Sequence, residues 1–214
     1  MRHAVIHRQR GLSLVELMVG ITVGLFIVAA AAMMTTSQLG DNRRLMVETQ
    51  VQQELRAAMD LISRDVRRAS AWDDAATSVW RPNNLIVGTN PNAELVSGNS
   101  STSLQFAYLS GGTETPSGFR LQDEALQMRV GDAWQTVTDV QTIRLLDLTL
   151  DLQEHQVSLA SYCMNGCVLG NCPTLFVRTV DVAISAQATT DASVQRRLVS
   201  TIRLPNDKVV GVCP

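Results

Sequence analysis

The hydrophobic pattern begins with an apolar run that carries one acid at its head. Between Leu17 and Met34 the only polar side chain is Thr22, and the run is long enough to cross most of a bilayer as a helix. Glu16 stands directly before it. A carboxylate at the bilayer centre costs about 2.5–3.5 kcal/mol, so a chain that needed only an anchor would not place an acid there. The pattern therefore predicts a partner that compensates Glu16.

A second pattern follows, with apolar residues at spacings of three and four, which predicts one buried face of a helix. Arg56, Asp60 and Arg64 fall four apart on another face and support an exposed surface. We interpret the buried stripe as packing on a globular domain. The stripe consists of Val47, Val51, Leu55, Met59, Ile62, Val66 and Ala69.

Both patterns belong to one predicted helix over residues 12–70, with a transmembrane part at about 14–35. No proline occurs before Pro82, so nothing forces a break. Gly40-Asp41-Asn42 is the point at which the helix is expected to loosen or kink.

The rest of the chain, residues 71–214, alternates short apolar segments with turn residues, which predicts a β-rich domain. We therefore expect an α+β fold in which the long N-terminal helix packs on antiparallel β-structure. Pro116-Ser117-Gly118 is interpreted as part of a wide turn. The predicted strands are Leu85–Val87, Ser103–Leu109, Phe119–Gln122, Ala125–Val130, Trp134–Val137, Val140–Leu152, Leu175–Ala188 and Val194–Leu204.

Four cysteines, Cys163, Cys167, Cys172 and Cys213, lie in the C-terminal quarter of the 214-residue chain. An even number of cysteines behind a membrane segment favours disulfides in an oxidising compartment. Three pairings are possible, and the interpretation we favour is one bridge within the Cys163–Cys172 loop and one that ties Cys213 to it. A zinc site of Cys163, Cys167 and Cys172 with His155 or Cys213 as the fourth ligand is the alternative, but the spacing does not fit common zinc modules.

Catalytic residues are not indicated. The formal net charge of −2 gives no nucleic-acid footprint, and no catalytic triad, phosphate loop or metal motif is visible. We expect no enzyme activity, no cofactor and no small-molecule substrate. Asp147, Asp151 and Glu154 are interpreted as a solvated strand face, with a calcium site as the less favoured alternative.

The first ten residues are basic through Arg2, Arg8 and Arg10, which places them on the cytoplasmic side. A secretory signal peptide cut near Ala29–Ala32 is one interpretation. Two features argue against it: Glu16 would lie inside the hydrophobic region, and the apolar periodicity continues past the cleavage point.

The segment Arg10-Gly11-Leu12-Ser13-Leu14-Val15-Glu16-Leu17-Met18-Val19 resembles the leader and mature N-terminus of type IV pilins and pseudopilins. The resemblance implies a leader over residues 1–11, cleaved after Gly11 by a prepilin peptidase, and N-methylation of Leu12. It departs from the family at Leu12, where Phe is commoner. It also implies that Glu16 acts in filament assembly, where its carboxylate would pair with the terminal amine of Leu12 on a neighbouring subunit. A buried charge is tolerable when it is paired.

Residues 53–69, which end in Arg64-Asp65-Val66-Arg67-Arg68-Ala69, resemble the helix of PilW-family minor pilins and the related J-type minor pseudopilins. Thr201-Ile202-Arg203-Leu204-Pro205-Asn206 resembles their closing strand, with Pro205 where Arg is usual.

These resemblances imply a minor pilin that sits in the bacterial inner membrane with its β-rich domain in the periplasm and then joins the pilus or its tip. It would prime assembly together with other minor and major pilins, in a filament that serves twitching motility, adhesion or DNA uptake. One alternative is a J-type minor pseudopilin of type II secretion. Another, of a different class, is a membrane-anchored periplasmic binding or adhesion module. Direct nucleic-acid binding is not expected.

Overall fold

The computed structural model describes residues 13–73, 90–97, 101–167 and 171–213. The chain forms two compact units, Met1–Met46 and Val47–Pro214. The second half of the long helix therefore belongs to the same unit as the strands. The predicted strand Leu85–Val87 lies outside the described residues.

Helix α1 extends over Leu14–Val66, close to the predicted span. It continues through Gly40 without interruption, because a single helical glycine costs only about 1 kcal/mol relative to alanine. In the apolar part, Thr22 Oγ1 donates a hydrogen bond to Val19 O at 2.9 Å. This bond satisfies the one polar side chain of the run within the helix itself, which a bilayer requires.

The end of α1 is fixed to the β-region by the backbone. Ser70 adopts a positive φ of 62° and turns the chain out of the helix. Its N–H donates to Ala107 O at 3.0 Å, and the Leu109 N–H donates to Ala71 O at 2.9 Å. The last turn is thereby hydrogen-bonded to the strand that contains Ala107.

The strands form two antiparallel sheets rather than a single one. The first sheet consists of β1 Val96–Ser97, β2 Ser103–Ser110, β3 Thr113–Gln122, β4 Ala125–Val130 and β5 Ala133–Thr136. The second consists of β6 Ile143–Ser158, β7 Thr174–Ala188, β8 Gln195–Arg203 and β9 Lys208–Val210, with a 3₁₀ turn at Ala160–Tyr162 after β6. The first sheet is a meander in the order β1-β2-β3-β4-β5, and the second has the order β6-β7-β8, with β9 also paired to β7.

The prediction of a wide turn at Pro116-Ser117-Gly118 was wrong, because these residues lie in β3. Pro116 pairs with Ala107 of β2 but lies just past the last pair with β4, Ser117 with Val130. A proline is tolerated there because no ladder bond to β4 is lost. A Cβ at Gly118 would lie 2.6 Å from Leu104 O, so only glycine fits this close approach of two strands.

The predicted helical stripe is confirmed, since the helix buries one face against both sheets. Val47 packs against the core at partial burial, and the other six residues of the stripe are buried. Burial of one such side chain contributes about 1.5–3 kcal/mol. The strands supply Leu104, Phe106, Phe119 and Leu126 from the first sheet and Leu148, Leu150, Val180, Val182, Ile184 and Ile202 from the second.

Candidate functional site

The first unit presents an apolar helical surface with one acid at its beginning. Every large apolar side chain between Leu14 and Met34 is exposed, and α1 is long and apolar enough to cross a membrane by length and composition. Glu16 lies in the first turn of the helix and is exposed. An acid there interacts favourably with the positive end of the helix dipole.

Glu16 also lies at a position from which it can cap the start of its own helix. Ser13 directly precedes the first helical residue, and Leu17 N–H donates to Ser13 O at 3.1 Å. Ser13 and Glu16 therefore have the spacing of a capping box, in which the acid helps to satisfy the open N–H groups of the first turn. Two different roles, helix capping and charge pairing with another chain, are thus open to this carboxylate.

Gly20 and Gly24 lie on the same part of the helix, four residues apart. A Cβ built on either glycine meets nothing within 4 Å. This stretch of the helix is open to the close approach of another helix, as the Gly-x-x-x-Gly spacing allows.

Gly11 and Leu12, the predicted cleavage and methylation positions, lie outside the described residues. Both assignments remain predictions.

In the second unit, the Arg64–Ala69 motif anchors the helix to the first sheet. Asp65 is buried, and Ser117 Oγ donates a hydrogen bond to its Oδ2 at 2.5 Å. Arg68 lies 3.6 Å from Asp65 Oδ1 and stacks its guanidinium 4.1 Å from the ring centre of Tyr108. Arg67 and Arg68 are exposed to solvent.

Arg178 on β7 is a buried charge that the sequence reasoning missed. Its guanidinium donates to Ala93 O, to Ser70 Oγ at 3.1 Å and to Asn206 O at 2.6 Å. Burial lowers the pKa of Arg178 below its usual value. The side chain joins the end of the helix, the loop before β1 and the segment after β8. The only signal in the sequence is its position in phase with the buried residues of β7, Val180, Val182, Ile184 and Ala186.

Asparagines complete this junction around the helix end. Asn90 Nδ2 donates to Ser70 O at 2.8 Å, and Asn206 Nδ2 donates to Ala69 O at 3.1 Å. These bonds satisfy backbone carbonyls that the helix leaves open at its C-terminus. The junction is structural in character, since its hydrogen bonds run between its own side chains and the backbone; Arg178 Nε is buried without a hydrogen-bond partner among the described residues.

The four cysteines form two disulfides, Cys163–Cys213 and Cys167–Cys172. Cys167–Cys172 closes a short loop, and Cys163–Cys213 joins the segment just before that loop to the C-terminal tail. All four thiols are therefore committed to disulfides, which leaves no thiolate for the zinc alternative. Gly211 has a φ of +94°, and a Cβ there would lie 2.5 Å from Cys172 O, so the tail passes close against the loop.

A long helix whose exposed, apolar first half is headed by one acid and whose second half packs on antiparallel sheets defines a pilin-like α+β fold. The family described as prokaryotic N-terminal methylation motif matches residues 6–32. The family described as prepilin peptidase-dependent protein B matches residues 44–204. Because the second match covers most of the chain, the protein belongs to the prepilin peptidase-dependent protein B family. No curated protein and no solved structure matches the chain.

The two matches support a pilin or pseudopilin role. Both families consist of pilin-type structural proteins rather than enzymes. They indicate processing by a prepilin peptidase and assembly with pilins, and the apolar helix with its leader motif is consistent with a membrane anchor.

Proposed function

We propose that this protein is a minor pilin of the PilW type, which primes assembly of a type IV pilus and stays in the complex at the filament tip. The observation that supports this proposal best is Glu16 in the first turn of an exposed apolar helix, within the methylation motif. Within the membrane no water solvates this carboxylate, and the amine of Leu12 on a neighbouring subunit would neutralise its charge.

The resemblance of residues 53–69 to the helix of PilW-family minor pilins supports a minor component. Asp65 and Arg68 tie the helix to the first sheet through Ser117 and Tyr108. The same motif is shared with J-type minor pseudopilins, so a role in type II secretion is the second candidate. The partners in either case are other pilin-type subunits, with the inner membrane as the site of assembly.

The N-terminus of the membrane-bound protein tests the first step. Mass spectrometry is expected to find a chain that begins at Leu12 and carries a methyl group on its amine. An intact Met1, or a terminus near Ala32, would contradict the proposal because the carboxylate of Glu16 would then lack its partner amine.

Deletion of the gene separates the two systems. A minor pilin is expected to be required for surface pili and twitching, with secretion of exoproteins unchanged. Loss of exoprotein release with normal pili would instead assign the protein to type II secretion. Complementation with the full-length chain serves as the control in both assays.

A further inference from the structure

The edges of the two sheets differ in how well they are protected against strand addition. The first sheet ends in β1, of two residues, and β5, of four residues. The start of β6 is protected by a register shift between Leu145 and Asp147 and by the Leu145 N–H, which donates to Glu124 O at 2.8 Å. From Asp147 to Ser158 this strand pairs with β7 without a break, and its protection there is three acidic side chains. Short strands, bulges and covered edges are the usual protections. Among the described residues, β8 has none of these three: it pairs with β7 over nine residues in unbroken register, contains no proline, and no described strand pairs with its outer edge. Its protection is limited to the charges of its arginines.

The backbone groups at the outer edge of β8 follow from the hydrogen bonds at its two ends. Ala188 N–H donates to Val194 O, and Leu204 N–H donates to Arg178 O. Hydrogen-bonded and non-bonded pairs alternate along an antiparallel ladder. Within β8, residues 196, 198, 200 and 202 therefore bond to β7, whereas the N–H and C=O groups of Arg197, Val199 and Thr201 point away from it.

The side chains at this edge indicate what would pair with it. Val199 is 68% exposed although it lies in the middle of the strand. β8 carries three arginines and no acid. Arg196 is paired with Glu48 at 2.6 Å and Arg203 with Asp207 at 2.7 Å, whereas Arg197 has no ion-pair partner among the described residues. An added strand with an apolar residue opposite Val199 and a carboxylate opposite Arg197 would complement both, because cross-strand neighbours lie about 4.5–5.5 Å apart.

We propose that β8 is a docking edge for an extended, acid-bearing segment of a different pilin-type subunit, which adds to the second sheet as a further strand. The edge would supply three N–H donors and three C=O acceptors from Arg197, Val199 and Thr201, and the apolar and acidic positions of the partner would set the register. This inference rests on the proposed function only in naming the partner as a pilin-type subunit.

A photoreactive residue tests the position of the partner. The full-length chain, with p-benzoylphenylalanine in place of Val199, is expressed in its native host so that it enters its native membrane. After irradiation and purification, the crosslinked peptide is identified by mass spectrometry. The matched control has the same residue in place of Val130, which is 49% exposed and lies in a strand paired on both sides. We expect a crosslink from position 199 to an acid-bearing extended segment of another pilin-type subunit, and not from position 130.

Two further variants test the backbone and the charge. Val199→Pro removes an N–H that β7 does not use, so the chain should fold while the added strand loses a donor; Val199→Thr keeps that N–H. Recovery of the partner should fall about tenfold in Val199→Pro and in Arg197→Glu, as expected for one lost main-chain or charged interaction, and should stay within about twofold of the parent in Val199→Thr and Arg197→Lys. Thermal unfolding of each variant is measured in parallel.

The outcomes separate this inference from the proposed function. If the chain copurifies with pilin-type subunits but position 199 gives no crosslink, or a crosslink to a second copy of the chain or to a helix, the docking edge is overturned and the proposed function stands. If no pilin-type subunit copurifies at all, both are overturned. A crosslink from position 199 that is lost when Arg197→Glu is added to the well-folded chain, together with normal recovery of the partner by Val199→Thr, supports the docking edge.

Discussion

Ser117 in β3 donates a hydrogen bond from its hydroxyl to the carboxylate of Asp65 in helix α1, and both side chains are buried. The two residues are 52 positions apart in the sequence. This contact joins the last turns of the helix to the middle of the first sheet. Ser117 also lies 3.4 Å from Arg129 O in the neighbouring strand, so the hydroxyl has a second, longer contact.

Asp65→Ala is expected to lower the free energy of unfolding by about 1–3 kcal/mol, because it leaves the buried Ser117 hydroxyl without its main acceptor. Because the Ser117 hydroxyl keeps its longer contact with Arg129 O, we expect the loss in the free energy of unfolding to lie near the lower end of this range. Denaturant unfolding of the full-length chain in detergent, followed by circular dichroism, measures it. The exposed Asp60 provides the matched control, and Asp60→Ala should change stability by less than about 0.5 kcal/mol.

The double variant Asp65→Ala/Ser117→Ala examines the pair itself. Since each single change leaves one buried polar group unpaired, the double change should cost less than the sum of the two. If the losses in the free energy of unfolding of the two single variants add up to that of the double variant, the two side chains do not interact.

The elements with clear periodicity were predictable from the sequence. Leu104, Phe106 and Tyr108 alternate along β2, and Ala125–Val130 coincides with β4. The stripe on α1 has the helical period and is buried as expected. In each case a single local pattern decides both the type of element and its buried face.

The features that were not predicted from the sequence have a common physical reason. In each of them, the contact that determines the local structure is made with residues far away in the sequence. Pro116 and Gly118 carry turn signals, but their place in β3 depends on where β4 ends and on how closely β2 approaches. β9 is only three residues long and exists because it continues along the side of β7 that β8 leaves free. Arg178 is buried among acceptors 28 to 108 positions away.

Arg178→Met is expected to destabilise the second unit by about 1.5–3 kcal/mol, because Ala93 O and Asn206 O lose a charged donor while the desolvation of the charge is relieved. Arg178→Lys should be intermediate, since an ammonium cannot reach all three acceptors in the fork geometry of a guanidinium. Unfolding midpoints of the full-length variants measure the effect, and amide exchange in residues 90–95 should accelerate.

The exposed Arg197 is the matched control for this change. Arg197→Met removes the same charge from the surface of β8 and should leave the free energy of unfolding within about 0.5 kcal/mol of the parent. Equal stability of the two methionine variants would mean that the three hydrogen bonds of Arg178 contribute nothing net.

The two disulfides should differ in their contribution to stability because they close loops of different length. Cys163 and Cys213 are 50 residues apart, and Cys167 and Cys172 are 5 apart. In the chain-entropy model, paired serine replacement should cost on the order of 4 kcal/mol for the first bridge and on the order of 2 kcal/mol for the second. Unfolding of the two double variants under non-reducing conditions shows which bridge contributes more to the free energy of unfolding. A larger loss from the short loop would indicate that local packing, rather than chain entropy, determines the contribution.

Glu16 provides the sharpest distinction between its two possible roles, because Gln preserves one of them. Glu16→Gln keeps a side chain that can serve the capping box with Ser13 but removes the charge, whereas Glu16→Ala removes both. If the carboxylate pairs with the amine of Leu12 on a neighbouring subunit, both variants should reach the membrane in normal amounts. Both should then be recovered with pilin-type subunits more than about tenfold less, since removal of one partner of a buried ion pair costs about 3–5 kcal/mol. The exposed acid Asp41 supplies the control as Asp41→Asn, which should assemble normally. Normal assembly of Glu16→Gln together with failure of Glu16→Ala would assign the residue to helix capping, and the charge would then need no partner.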